Sequence, residues 1–485
     1  DKYMNPLTIL LVIAGYFALL FFISYLAGRK ADNAGFFSGN RSSNWLLVAM
    51  STIGAAISGV TFVSVPGMVA TSGWAYMQMV LGFTVGQFLI AYVLIPLYYK
   101  FNLTSIYQYL QQRFGMSTYK SGAWLFFVSK MLGASVRLFV VSEVLQLLVF
   151  DRLAVPVPFW ANAIITVLIV YLCTFKGGVK SLIWTDLLKT CCLILSVALC
   201  IYFVLRAGVD IEGWATSDMT RTFFFDDPKS SNYFWKQFLA GVFLVIATTG
   251  LDQDLMQRTL SCKNPRESQK NLIVGALMQI VVIGLFLFLG YLLYTYAAQT
   301  GVAEVASLKG DEVFAFLATG NYFPVIVGVL FIIGFIAAAY SAAGGALTAL
   351  TTSFTVDILN KEKADNLTKI RTWVHIGMAI LMAGCIYVIH LLNDDSVIQT
   401  VYKVASYTYG PLLGMFCFGI FTKKQVRDRW IPIAVIAAPV ITWIIDVNSV
   451  VWFNGYQFSH ERLILNAALT ALGMICLIIP SKKSA

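Results

Sequence analysis

Residues 51–62 read STIGAAISGVTF, and residues 246–260 read IATTGLDQDLMQRTL. Both stretches place glycine and hydroxyl side chains inside apolar runs, where a helix facing lipid needs only apolar residues. The small residues concerned are Gly54, Ser58, Gly59, Thr61, Thr248, Thr249 and Gly250. Such residues can simply allow close helix packing. Their matching positions in two halves of the chain favour a pair of broken helices, which in transporters mark the binding site.

The composition places the chain in a membrane. Of 485 residues, 59% are hydrophobic and 12% are charged, and the mean hydropathy is +0.76. A soluble protein of this size could not hide so much apolar surface. Apolar runs of about 20 residues recur along the whole chain and predict an all-α integral membrane protein with about thirteen spans. We place them at 5–27, 44–72, 75–99, 122–150, 155–175, 180–206, 233–253, 270–298, 322–359, 367–393, 397–421, 428–447 and 462–480.

Basic residues gather in alternate gaps between these spans and predict the orientation, because positively charged loops stay on the cytoplasmic side. The basic gaps include Arg29, Lys30, Arg41, Lys176, Lys180, Arg258, Lys263, Arg266, Lys270, Lys361, Lys363, Lys423 and Lys424. We therefore expect the N-terminus outside and the C-terminus inside, in a bacterial inner membrane. The net charge of +10 then serves topology and contact with the lipid bilayer, and it does not indicate nucleic-acid binding.

The residues that carry enzyme chemistry do not form a recognisable set. None of the three histidines, His375, His390 and His460, has a nucleophile at a catalytic spacing. The eight cysteines fall in spans or on the predicted cytoplasmic side and show no CxxC spacing. We expect a protein that is not an enzyme, and the sequence implies no obligatory protein partner.

Four ionisable residues lie deep in the predicted spans, where a charge costs at least about 2.5 kcal/mol. Asp186 and Lys189 are three residues apart on one helical face and can form an ion pair. Arg137 and Glu143 are six apart, which leaves them on nearly opposite faces and disfavours their pairing. Each of these charges needs a partner or a function.

Four separated motifs resemble the solute:sodium symporter family, which includes sodium-coupled sugar, proline and sialic acid transporters. They read TSIYQYLQQRFG (104–115), YLCTFKGGVKSLIWTDLLK (171–189), LDQDLMQRTL (251–260) and GPLLGMFCFGIFTKK (410–424). The resemblance implies the LeuT-type fold, with two inverted five-helix repeats, one preceding helix and two following helices. The implied boundaries are 1–43 for the first helix and its loop, 44–206 and 233–421 for the repeats, 207–232 for an extracellular loop, and 422–485 for the last two helices and the tail.

The resemblance also implies a sodium site, and this chain departs from the family's pattern there. The site maps onto the carbonyls of Gly54, Ile57 and Ala338 and onto the hydroxyl of Ser341, with Asp186 supporting it or holding a second ion. Ala342 stands where relatives usually have a second hydroxyl, and Lys189 stands where they usually have a neutral residue. Sodium could still bind, with Lys189 pointing to cytoplasmic water. Alternatively, Lys189 supplies the positive charge in tethered form, and transport is uniport, exchange or proton-coupled.

Arg137 lies where sialic acid carriers of the family use an arginine to grip a carboxylate, a geometry that suits the guanidinium fork. The other predicted substrate contacts are the hydroxyl or amide groups of Ser58, Thr61, Tyr76, Gln78, Thr248 and Thr249. The predicted function is secondary active transport of a small organic solute by alternating access, with sodium as the coupling ion. An acidic sugar such as sialic acid is the leading substrate, followed by neutral sugars and small carboxylates.

Overall fold

The structure is a computed structural model that describes residues 5–152, 156–392 and 407–480. Within these ranges the chain is helical and forms only two isolated β-bridges. The α-helices are α1 Pro6–Gly28, α2 Asn33–Ser38, α3 Trp45–Ala56, α4 Gly59–Gly67, α5 Val69–Ser72, α6 Tyr76–Leu89, α7 Ile95–Lys100, α8 Gln108–Arg113, α9 Met116–Leu148, α10 Phe159–Thr174, α11 Val179–Arg206, α12 Phe234–Val245, α13 Gln253–Thr259, α14 Pro265–Thr300, α15 Gly310–Thr319, α16 Val325–Ser353, α17 Leu367–Leu392, α18 Tyr409–Phe421, α19 Ile431–Trp452 and α20 Arg462–Cys476. Short π-helical turns lie at Ile90–Leu94, Ile246–Gly250 and Phe354–Ile358.

The membrane class predicted from composition is confirmed. Among the described residues, eight helices are long and apolar enough to cross a membrane, and ten if each of two bent pairs counts as one span. Three further apolar helices, α10, α18 and α20, have 16, 13 and 15 residues. Because these three are shorter than the roughly 20 residues that a helical span needs, the exact number of thirteen stays a prediction. The span predicted at 397–421 begins outside the described residues.

Both helix breaks predicted from the sequence are present. Helices α3 and α4 bend by 66° at Ile57 and Ser58, and α12 with its π-turn bends by 73° from α13. Each second half begins with a side-chain cap, which satisfies amide groups that a helix start leaves without a partner. Ser58 Oγ accepts from the Thr61 amide at 3.2 Å, and Asp252 Oδ1 accepts from the Asp254 amide at 2.9 Å.

Helix α16 lies at the centre of the protein. Every residue from Gly334 to Ser353 is buried, whereas large apolar side chains of the peripheral helix α19, such as Ile436 and Val451, are 67% and 82% exposed. Alanine and glycine dominate residues 337–346 of α16. Small side chains let neighbouring helices approach closely, and α16 contacts α3, α4, α9, α11 and α13.

Candidate functional site

A cavity of about 680 Å³ opens between the two broken helices. Its wall includes side chains of α3, α6, α9, α12, α13, α14, α18 and α20. At one end it reaches Arg462, the first residue of α20, and His460 just before it. Ligand pockets for small molecules have volumes of roughly 300–1,000 Å³. The cavity is therefore large enough for an organic solute of the size of a sugar.

Arg137 is the basic residue of this cavity that makes no hydrogen bond or ion pair within the described part of the chain. It projects from α9 and also borders a second, smaller chamber of about 30 Å³, together with Ser58 and Ala342. Among the described residues, no hydrogen bond or ion pair joins Arg137 to Glu143, and the spacing of six between them predicts that they do not pair. A guanidinium exposed to the cavity is suited to binding an anion.

Three more of the predicted substrate contacts, Tyr76, Thr248 and Thr249, line the large cavity. Thr248 lies in the π-turn, and its hydroxyl donates to the Leu244 carbonyl at 2.7 Å, so its lone pairs stay available to a ligand. Ser58 borders only the small chamber, and its hydroxyl lies 3.1 Å from that of Thr61. Thr61 borders neither of these two cavities.

Gln78 has a structural role that differs from the predicted one. Its side chain is fully buried, and its amide nitrogen donates to the Asn232 carbonyl at 2.9 Å. Its amide oxygen accepts from the Phe224 amide at 3.0 Å. Because both ends of the amide are used to hold the 207–232 segment against α6, Gln78 is not part of the cavity wall.

The residues of the predicted sodium site lie at the end of α3 and on the facing part of α16. The Ile57 amide donates to the Ile53 carbonyl at 3.1 Å as α3 ends, and the last carbonyls of a helix, here including that of Gly54, have no helical donor. A Cβ atom at Gly54 would overlap Thr190 Oγ1 and would lie 3.1 Å from Ser341 Oγ. Ala338 precedes Ser341 by three residues and shares its face. This set fits a small cation in part, through carbonyls and one hydroxyl.

Asp186 is fully buried, and protein groups surround both of its oxygens. Its Oδ2 accepts from Ser51 Oγ at 2.9 Å and lies 3.1 Å from Arg258 Nη2. Its Oδ1 accepts from Ser341 Oγ at 3.2 Å and from Lys189 Nζ at 3.4 Å. The predicted pair of Asp186 and Lys189 is confirmed. Since a carboxylate has about four acceptor positions, the protein engages all of them in this conformation.

Lys189 does not reach the cytoplasmic water. Its side chain is 2% exposed, and its Nζ also donates to the Tyr340 carbonyl at 3.3 Å. The expectation that it points to solvent is therefore wrong. The reason is the close packing of α11 on α16, where a Cβ atom at Gly344 would lie 3.8 Å from Lys189 Nζ.

Arg258 is buried, although its charge and its position predict a residue of a cytoplasmic loop. Its side chain is 0% exposed. Its Nη2 donates to the Ser341 carbonyl at 3.2 Å, and its Nη1 lies 3.4 Å from Asp254 Oδ1. The spacing of four between Asp254 and Arg258 is the signal that predicts such a pair on one helical face.

Lys130 completes this set of buried charges from α9. Its Nζ lies 3.2 Å from Asp252 Oδ2 and 2.9 Å from Asp254 Oδ2. All three side chains line the large cavity. Ion pairs thus connect these three charged residues of the cavity wall to the centre of the protein.

Two broken helices beside a solute-sized cavity are typical of membrane transporters. The sequence pattern of the sodium:solute symporter family matches residues 36–428, and the chain belongs to that family. The predicted family and fold are therefore confirmed, and the predicted class of function agrees with the family. Because the family consists of transporters, it also supports the expectation that the chain is not an enzyme.

Several characterised proteins are similar to this chain. It is 24% identical to the sodium/sialic acid symporter NanT of Aliivibrio fischeri, with 92% of this chain and 89% of NanT covered. It is 25% identical to the human sodium/iodide cotransporter, with 84% and 65% covered. It is also 25% identical to the mouse sodium-coupled monocarboxylate transporter 1, with 83% and 66% covered. The chain thus spans about two thirds of the length of these two mammalian relatives.

Two solved structures share the fold. The substrate-bound outward-open state of a Na⁺-coupled sialic acid symporter superposes with a TM-score of 0.81 at 19% identity, covering 96% of this chain and 97% of that one. A nucleobase-cation-symport-1 family transporter gives a TM-score of 0.53 at 13% identity, covering 92% and 94%.

Proposed function

We propose that the protein carries a small organic anion across the membrane by alternating access, coupled to sodium. The observation that carries the proposal is Arg137, a guanidinium without a protein partner in the described ranges, exposed in a cavity between two broken helices. An arginine fork binds a carboxylate in a bidentate manner. The names of the three relatives above give sialic acid, iodide and monocarboxylate as their cargo, and all three are anions at neutral pH.

An acidic sugar such as sialic acid is the preferred substrate, with a small carboxylate and a neutral sugar as the next candidates. The volume of the cavity accommodates a sugar ring, and Tyr76, Thr248 and Thr249 supply hydroxyl groups along its wall. Buried hydroxyls that need hydrogen-bond partners select strongly for a hydroxylated ligand. This polar wall favours a sugar acid over an apolar carboxylate.

Sodium is the proposed coupling ion, bound by the carbonyls of Gly54, Ile57 and Ala338 and by the hydroxyl of Ser341. Family membership supports this assignment. The alternative is sodium-independent uniport, exchange or proton-coupled transport, with Lys189 in the place of the ion. That alternative is favoured by the position of Lys189 Nζ, 3.4 Å from Asp186, and by the missing hydroxyl at Ala342.

The remaining parts of the proposal concern the placement of the chain in the membrane. We place it in the bacterial inner membrane with its N-terminus outside, and we assign the five-helix repeats to residues 44–206 and 233–421. Each proposed repeat opens with one of the two broken helices, a pattern typical of inverted-repeat transporters. His460 lines the cavity and belongs to the 453–461 segment, which lies on the outer face in this orientation. The cavity therefore opens to the outside in this proposal.

The test is a thermal-stability screen of the purified protein with sialic acids, neutral sugars and small carboxylates, each in sodium chloride and in choline chloride. We expect an acidic sugar to raise the melting temperature of the wild type and of Arg206→Gln, an exposed control outside the cavity. We expect Arg137→Gln to abolish this effect and Arg137→Lys to weaken it. Stabilisation by a neutral sugar that survives Arg137→Gln would overturn the anion assignment.

The choice of salt separates the two coupling schemes. Stabilisation that requires sodium supports symport. Equal stabilisation in sodium and choline supports the alternative, and transport driven by a pH gradient in wild type and Lys189→Gln then decides between proton coupling and uniport.

A further inference from the structure

Five charged side chains form an unbroken line of ion pairs from the cavity to the centre of the protein. In order, they are Lys130, Asp254, Arg258, Asp186 and Lys189, with successive nitrogen–oxygen distances of 2.9, 3.4, 3.1 and 3.4 Å. The exposed fraction of these side chains falls from 11% at Lys130 to 0% at Arg258 and Asp186. The line therefore starts at the cavity wall and ends in a dry interior.

The α16 helix is shaped to admit the guanidinium of this line. A Cβ atom at Gly345 would overlap both Arg258 Nη2 and Asp254 Oδ1. Any larger residue at this position would therefore displace the ion pair from the helix surface. The run of alanine and glycine in α16 provides the space in which the side chains of α13 reach Ser341 and Asp186.

The position taken by Arg258 Nη2 has oxygen neighbours of the kind that a cation site offers. Its contacts are the Asp186 carboxylate at 3.1 Å and the Ser341 carbonyl at 3.2 Å, and the hydroxyls of Ser51 and Ser341 donate to the same carboxylate. Oxygen ligands of these kinds are those that hard metal cations prefer. Here the cation is a side chain of the protein itself.

Arg258 is held there by charge and is incompletely hydrogen-bonded. Its Nε and Nη1 atoms and the Oδ1 atom of Asp254 make no hydrogen bond to any described residue. Buried polar groups are normally satisfied, and exceptions call for an explanation. These unsatisfied atoms leave Arg258 with fewer fixed contacts than a fully hydrogen-bonded guanidinium has.

We propose that the guanidinium of Arg258 takes the place of a metal cation beside Asp186. It excludes a metal cation from that carboxylate, and the protein then binds no more than one coupling sodium ion. The inference rests on the proposed function for the sodium site at Ser341. Through Asp254 and Lys130, the guanidinium is also connected to the cavity.

The experiment is a sodium titration of the purified protein in the absence of solute, read as the shift in melting temperature at constant ionic strength with choline as the replacement. For Arg258→Gln we expect apparent sodium affinity to rise by about tenfold or more, because a like charge a few ångströms from the ion is removed. Arg258→Lys keeps the charge and is expected to respond like the wild type. An unchanged sodium response in a folded Arg258→Gln variant would overturn the proposal.

A second variant covers the case in which Arg258→Gln does not fold. The double variant Arg258→Gln with Asp254→Asn removes the pair together, and Lys130 keeps its contact with Asp252 at 3.2 Å. We expect the same gain in sodium affinity, and no gain would overturn the proposal. A wild-type titration that requires two sodium ions would do so as well. Because no solute is present, failure of the anion assignment leaves these readings unaffected.

Discussion

Replacement of Asp186 by asparagine tests whether the central carboxylate neutralises the buried cations around it. In the variant, Lys189 loses the carboxylate that lies 3.4 Å from its Nζ and keeps the Tyr340 carbonyl at 3.3 Å. Arg258 keeps Asp254. At an effective dielectric constant of about 20, two unit charges at 3.4 Å attract each other by about 5 kcal/mol. Breaking a buried pair by removing one partner typically costs about 3–5 kcal/mol.

We therefore expect Asp186→Asn to lower the free energy of unfolding by about 3–5 kcal/mol. Lys189→Met should cost less, because Asp186 keeps Arg258 and the hydroxyls of Ser51 and Ser341. The double variant should be more stable than Asp186→Asn alone, since it leaves no unpaired lysine in the interior. The measurement is equilibrium unfolding of the four proteins in mixed micelles, analysed as a double-mutant cycle.

The refuting result is additivity. If the double variant loses the sum of the two single losses, Lys189 and Asp186 do not stabilise each other. A wild-type-like Asp186→Asn protein would show that Asp186 does not stabilise the buried Lys189 that lies 3.4 Å away, and it would refute the reasoning.

Two further predictions concern α16 and the end of the cavity at His460. Gly345→Ala should destabilise the protein and abolish transport, because the added methyl group overlaps the carboxylate and guanidinium of α13; Gly377→Ala, where a Cβ atom meets nothing within 4 Å, is the matched control for both readouts. Burial and the nearby Arg462 lower the pKa of His460, against the opposing effect of Glu461. Because the folded protein then binds the proton more weakly than the unfolded chain, stability should be full above pH about 6.5 and should fall as the pH drops below that value towards the lowered pKa of His460. His460→Gln should flatten this part of a melting-temperature profile against pH, and an identical profile would contradict the assignment.

Local features of the sequence were sufficient for the helical membrane class and for both helix breaks. Apolar runs long enough to span a bilayer follow from composition alone, and the glycine and hydroxyl residues at 54–61 and 248–250 predicted both breaks correctly. The pair of Asp186 and Lys189 was also predictable, because a spacing of three places both side chains on one helical face whatever surrounds the helix. These properties depend on neighbours in the chain and need no knowledge of tertiary contacts.

The partners of the site residues were decided by tertiary structure. The 73° bend before α13 turns Arg258 towards α16, although its charge and position near a predicted loop are typical of a cytoplasmic residue. Gln78 has an amide side chain of the kind that binds solutes, but both ends of this amide form hydrogen bonds to the 207–232 segment.

The sequence by itself thus determined a membrane transporter fold with two broken helices, and the tertiary structure determined which charges meet. Lys189 lies in the interior because α11 packs closely on the small residues of α16, and Arg258 reaches Asp186 because Gly345 has no side chain. The physical reason is that the two sets of properties depend on interactions of different range along the chain. Helix formation and membrane insertion depend on local hydrophobicity, whereas the energy of a buried charge depends on groups brought near it from distant parts of the chain.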